Sequence, residues 1–216
     1  MNSTNSLLES RLETLRHSLD ALSTAIDDNL RTLLLCLTCD KLDGNEKALV
    51  NIDTLARNAR ERCLLLVARE HPMARDLKYA MGALRIGHDY ERIQELAAAL
   101  HKRVEHLAGT PMEDIIQDMT GVMADILKLH EVVRCTWHSE RQLLAFPNQQ
   151  PKIDSLSSAI HAGVASVQQK IVARISEGRA RAEIFVDLVL ACRHLKRIAD
   201  LMETIPDELH SFDRTE

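Results

Sequence analysis

From Asn5 to Thr38 the chain contains neither glycine nor proline, and apolar residues recur at Leu8, Leu12, Leu15, Leu19, Leu22, Ile26, Leu30, Leu33 and Leu37. Every step is three or four residues, so all nine fall on one stripe of an α-helix, with Asp, Arg and Glu behind it. A β-strand needs a period of two, and no such alternation is present here. A stripe this long cannot be satisfied inside a short helix of the usual globular length. It needs a partner that runs beside it for its whole extent, as in a helical bundle.

The same pattern repeats along the sequence between breaks. Gly44-Asn45 ends the first stripe, after the polar stretch from Asp40 to Asp43. A second helix is expected from Glu46 to Glu70, with Ile52, Leu55, Ala59, Cys63 and Leu66 inward. A third is expected to start at Pro72, where a missing N–H costs nothing, and to close at Gly109-Thr110-Pro111. Gly82 and Gly87 lie inside it and suggest close packing against a neighbour. Ile116, Met119, Met123, Ile126, Val133 and Trp137 mark a fourth helix running toward Phe146-Pro147. Ile153, Leu156, Ile160, Val164, Val167 and Ile171 mark a fifth, and Gly178 separates it from a sixth. That last helix carries Leu188, Cys192, Leu195, Met202 and Ile205 and is expected to stop at Pro206. The reading is all-α: six long antiparallel helices in two tandem three-helix bundles.

Composition agrees with this and excludes several classes. Aromatic residues are only 3% of the 216, so the core is made of Leu, Ile, Val, Ala and Met, which suit helix-on-helix packing. A net charge of −5, mixed along the chain, lacks the clustered Lys and Arg of a nucleic-acid surface. The longest apolar run, Cys63 to Ala68, is far short of a membrane span, so no direct membrane insertion is expected. The N-terminal Met1-Asn2-Ser3-Thr4-Asn5-Ser6 has no signal-peptide pattern, and five cysteines at irregular spacing do not make a disulfide framework. A cytoplasmic protein with reduced thiols is the expectation.

An internal repeat divides the chain. Shifted by 105 residues, Tyr90-Glu91-Arg92-Ile93-Gln94-Glu95-Leu96 lies over Leu195-Lys196-Arg197-Ile198-Ala199-Asp200-Leu201. Arginine, isoleucine and leucine match, and Glu95 faces Asp200. Both segments fall on the third helix of a half, which suggests duplication with units at 1–109 and 110–216.

Within the third helix, Ile86, Tyr90, Ile93, Ala97 and Leu100 form one seam, expected to be buried. His88, Glu91 and Glu95 lie on another side. The Glu91/Glu95 spacing puts two carboxylates on one face, close enough to share a hard cation or simply to form a solvated acidic face. Cys36-x-x-Cys39 has redox or zinc spacing, but zinc would need two further ligands, and idle or buried thiols are the simpler expectation. His130 falls on an apolar seam, as a satisfied core histidine would. Asp76 sits where a helix dipole favours an anion.

The segment His71-Pro72-Met73-Ala74-Arg75-Asp76-Leu77-Lys78, with Ala83-Leu84-Arg85-Ile86 and Asp89-Tyr90-Glu91-Arg92-Ile93 after it, resembles the signature of the PhoU family. Leu195-Lys196-Arg197-Ile198-Ala199-Asp200 occupies the place of that family's second motif. The resemblance extends over nearly the whole chain and implies a non-enzymatic cytoplasmic regulator of phosphate uptake and phosphate-starvation signalling. Its implied partners are a phosphate ABC transporter ATPase and a membrane sensor histidine kinase; a homodimer is expected on a separate ground, because long bundles with leucine-rich stripes often leave one face to cover. It also implies a divalent or ferric metal ion in the first repeat, on Asp53, Glu91 and Glu95. In the second repeat Lys196 replaces the first ligand and leaves Asp200 alone, with Asp154 and Ser158 on the neighbouring helix. Arg75, Asp76, Arg92 and Arg197 are the motif residues expected to serve interaction. Two other readings use the same fold: a scaffold regulating a different transporter, and a helical-bundle enzyme with a metal–carboxylate centre. The enzyme reading lacks its usual Glu-x-x-His pairs; the nearest acidic approximation is Asp207 before His210.

Overall fold

Helix periodicity becomes helix wherever the chain can bury the stripe. A computed structural model describes residues 2–38, 49–136, 148–177 and 181–210, and these described residues form six helices and no strand. They are α1 (Asn2–Thr38), α2 (Asp53–Glu70), α3 (Ala74–Leu107), α4 (Glu113–Arg134), α5 (Gln150–Ser176) and α6 (Ala182–His210). Cys39, Gly44-Asn45, Trp137, Phe146-Pro147 and Gly178 lie outside the described residues.

The stripe of α1 is buried as its period requires: Leu15, Leu19, Leu22, Ile26, Leu30 and Leu33 are all closed to solvent. Each such burial stabilises the fold by about 1.5–3 kcal/mol. At 37 residues the helix is about 55 Å long, enough to run the length of two partners. It packs on both α2 and α3, which also pack on each other. The helices α4, α5 and α6 likewise touch pairwise. The two trios are joined by α1 against α4 and above all by α3 against α6, the most extensive contact among the described helices. One continuous apolar core runs through both trios.

Four boundaries differ from the sequence expectation, each for a local reason. The second helix begins at Asp53, because residues 49–52 are held out of helix. The buried Asn29 amide clamps this segment, donating to Val50 O at 2.9 Å and accepting from Val50 N–H at 2.7 Å. On α2 it is Ala56, not Leu55, that is fully buried. The third helix begins at Ala74; His71, at φ 44°, turns the chain out of α2, and Pro72 follows where no helix can continue. The fourth helix stops at Arg134, where Thr136 folds back with both its N–H and its hydroxyl on Val133 O. Pro206 does not stop α6, which continues through it to His210. It sits in the last turns, where its missing N–H removes one bond near an end that frays anyway.

The expectation for Gly87 is also corrected. A Cβ at Gly87 would meet nothing within 4 Å, so that glycine is not there for close packing. At Gly163 on α5 it would stand 2.8 Å from Val122 Cγ2 on α4, and this is the close helix approach.

Candidate functional site

Helices α3 and α6 carry the two copies of the repeated segment, and they run antiparallel against each other. Arg85 on α3 pairs with Glu208 on α6 at 2.8 Å, and Arg103 pairs with Asp187 at 2.7 Å. As the number rises along one helix it falls along the other, so the middle of α3 meets the middle of α6. This brings the segment around Ile93 beside that around Ile198, and both isoleucines are fully buried. His194 and His106 extend the polar border, at 3.4 Å from Arg103 and 3.6 Å from Asp187 respectively. Burial and the nearby Glu208 raise the Asp89 carboxyl above its usual range.

The seam predicted on α3 is closed to solvent at Ile86, Tyr90, Ile93, Ala97 and Leu100. On the outer side, both carboxylate oxygens of Glu91 accept from Arg60 Nη2 on α2, at 2.6 and 2.5 Å, and His88 Nδ1 is 3.7 Å away. Glu95 is exposed one turn later, and Asp53 is the exposed first residue of α2. Among the described residues no group of three or more His, Cys, Asp and Glu side chains is disposed to hold a metal ion. A hard cation needs several oxygen ligands, and the cation already seated on Glu91 is a guanidinium. As folded, Asp53, Glu91 and Glu95 do not fit such an ion.

Asp200 is engaged differently. His161 Nε2 on α5 lies 2.9 Å from its Oδ1, and Arg197 is 4.0 Å away. Arg75 is exposed and Asp76 half-buried in the first turn of α3, where they line a cleft of about 620 Å³ with Glu9, Glu13 and Arg16 of α1. Arg92 is half-buried near Asp89 and stabilises its anion.

Sequence reasoning missed a polar chain across the core. Tyr90 O–H donates to Ser23 Oγ at 3.2 Å; Ser23 in turn lies 3.4 Å from His130 Nε2. His130 Nδ1 is 3.3 Å from Asp27 Oδ1, and Arg31 Nε donates to Asp27 Oδ2 at 2.7 Å. The Tyr90 and His130 rings meet edge to face at 5.8 Å. Burial, the dominant influence, lowers the His130 pKa, so its imidazole is neutral and donates through Nδ1. Hydrogen bonding from His130, then Arg31, overcomes burial at Asp27 and lowers its pKa to about 2. The chain links α1, α3 and α4, and thus the two trios. His130 was legible as a core histidine; Ser23 and Asp27, one residue off the leucine stripe, were the overlooked signal.

A family profile described as the PhoU domain matches residues 49–104, which span α2 and most of α3. The chain is 23% identical over 191 residues to the phosphate-specific transport system accessory protein PhoU homolog 1 of Thermotoga maritima, covering 88% of this chain and 78% of that one. It is 24% identical over 161 residues to the phosphate-specific transport system accessory protein PhoU homolog of Rhizobium meliloti, covering 74% of this chain and 65% of the relative. The crystal structure of PhoU from Pseudomonas aeruginosa superposes with a TM-score of 0.78 at 18% identity, over 95% of this chain and 98% of the other.

Proposed function

We propose, from the premise that the chain is a divergent member of the PhoU family, that it is an accessory regulator of a phosphate transport system. It acts in the cytoplasm by docking on an ABC transporter ATPase and on a sensor histidine kinase, and it makes or breaks no bond in doing so. The observation that carries this reading is the PhoU domain match on α2 and α3, together with the pairing of α3 and α6 that sets the two motif copies side by side.

Surface chemistry supports contact as the mode of action. Apolar side chains are exposed at Leu64 and Leu65 on α2, at Leu77 and Met81 on α3, at Val172 and Ile175 on α5, and at Val186 and Val189 on α6. At the 105-residue offset Met81 corresponds to Val186, and half-buried Val67 and Leu84 correspond to Val172 and Val189. Each trio, read as one unit of a duplication (1–109 and 110–216), thus carries apolar side chains at these three equivalent positions. Faces of this kind suit protein partners or a second copy of the chain. None of the described helices is long and apolar enough to cross a membrane.

The test is a pull-down from phosphate-replete cells of the native host, repeated with Met81→Glu and Val186→Glu. Recovery of a phosphate-transporter ATPase and a sensor kinase with the unaltered chain, and their loss with the charged variants, is the expected result. Recovery of a different transporter's ATPase would move the function to the scaffold reading.

A further inference from the structure

Away from the motif helices, three chemistry-bearing side chains meet near the end of α1. Cys36 is half-buried, and its Sγ lies 3.6 Å from His101 Nε2 on α3. The other ring nitrogen, Nδ1, is 3.1 Å from Glu105 Oε1, one helical turn further on. A carboxylate at Nδ1 holds the proton on that nitrogen and leaves Nε2 with its lone pair toward the sulfur. The His101 side chain is only 12% exposed, so the ring is fixed rather than free to swing. A thiol facing an imidazole oriented in this way can deliver its proton and become the nucleophilic thiolate.

The other described cysteines differ. Cys63 and Cys192 lie in the core, where burial pushes each thiol up to about 11, and Cys135 is exposed after α4. Cys36 instead lines a cleft of about 580 Å³, shared with Thr38, Glu113, Gln117 and Thr120, a volume that fits a small molecule. The cleft lies where α1 and α3 approach α4; Thr120 Oγ1 is 3.5 Å from Leu37 O. Sequence reading leaves Cys36 idle because its partners are 65 residues away in the chain.

We propose that Cys36 is a peroxide-reactive thiol, with His101 as its base, Glu105 as the positioning residue and small hydroperoxides as the reactant class. His101 Nε2 takes the S–H proton. The thiolate attacks the outer oxygen of the hydroperoxide, an S–O bond forms, and the O–O bond breaks. The departing alkoxide or hydroxide collects the proton from His101. Sulfur is oxidised by two electrons to sulfenic acid, and the peroxide is reduced to alcohol or water. Two equivalents of a small thiol reverse the modification: the first condenses with the sulfenic acid to a mixed disulfide and water, and the second releases Cys36 as the thiol with a small-molecule disulfide as product. The added oxygen sits in the cleft between α1 and α4, so oxidation marks the junction of the two trios.

The experiment uses the full chain and peptide-level mass spectrometry, with fragment ions separating Cys36 from Cys39. Under substoichiometric hydrogen peroxide with dimedone as trap, the adduct is expected on Cys36 ahead of Cys135, Cys63 and Cys192. Iodoacetamide labelling of the unaltered protein should reach half-maximal rate at Cys36 about one pH unit or more below Cys135. His101→Gln should return Cys36 to the profile of Cys135, with Glu105→Gln in between and the Cys135 profile unmoved in both. Coincident profiles for Cys36 and Cys135 in the unaltered protein, first adduct on another cysteine, or an unchanged profile in a folded His101→Gln protein would each overturn the proposal.

Discussion

Asn29 shows how much one buried side chain decides. It is 1% exposed, holds both backbone groups of Val50, and donates to Gln94 Oε1 on α3 at 2.5 Å. Asn29→Ala leaves the partners at Val50 and Gln94 unsatisfied and should cost about 2 kcal/mol, read as a lower urea midpoint. The polar chain from Tyr90 to Asp27 makes a second residue-scale prediction. Both His130 and Asp27 have pKa values below their ordinary ones in the fold, so the unfolded chain binds more protons over the intervals concerned. Stability held above the ordinary histidine value of 6.5 should therefore fall as pH drops below it. A further loss of about 2 kcal/mol should follow as pH falls from about 4 toward 2, when Asp27 is forced to protonate. Thermal melts across pH should show both steps, and His130→Phe should shrink both: burial and Arg103 also lower the His194 pKa, so part of the upper step remains, and Asp27 loses the hydrogen bond that most lowers its own. Arg60 on Glu91 sets a third: protein purified without chelator should carry no tightly held iron or magnesium by elemental analysis. Glu91 and Glu95 were legible as a carboxylate pair because they share one helix. The guanidinium was not, because its register comes from how α2 leans on α3.

Among the elements, the helices were read from the sequence with little loss, since periodicity and its breaks are local properties. The misreadings sit at ends, where a distant partner competes with propensity: Asn29 over residues 49–52, and the Thr136 turn after α4. Glycine shows the same division. Gly87 and Gly163 are alike in sequence, each inside a helix, yet of the two only Gly163 faces a neighbour, with Val122 Cγ2 2.8 Å from where an alanine Cβ would stand. Gly163→Ala should force α4 from α5 and destabilise by about 1–3 kcal/mol. Gly87→Ala should instead stabilise by about 0.5–1 kcal/mol through unfolded-chain entropy and helix propensity. Melting temperatures moving the same way in both variants would refute this account of the α4–α5 contact.

For the molecule as a whole, the central question is whether the two trios are separable. The repeat in the sequence suggests two units, but the core is continuous, and α3 and α6 make the most extensive pair among the described helices. A fragment of residues 1–109 would expose the α6-facing side of α3 and strand Arg85 and Arg103 without their carboxylates. It should fail to unfold cooperatively in urea, while the full chain shows a single transition. What the sequence alone determined was the all-helical class, the helices themselves, most of the inward seams and the resemblance to a family signature on α3. All of these follow from residues a turn or two apart, whose relation a helix imposes by its own geometry. Only the tertiary structure decided the pairing of α3 with α6, the guanidinium on Glu91, the Asn29 clamp, the Tyr90–Asp27 chain and the meeting of Cys36 with His101. Each joins residues far apart in the chain, and their approach depends on which ridge of one helix settles into which groove of another.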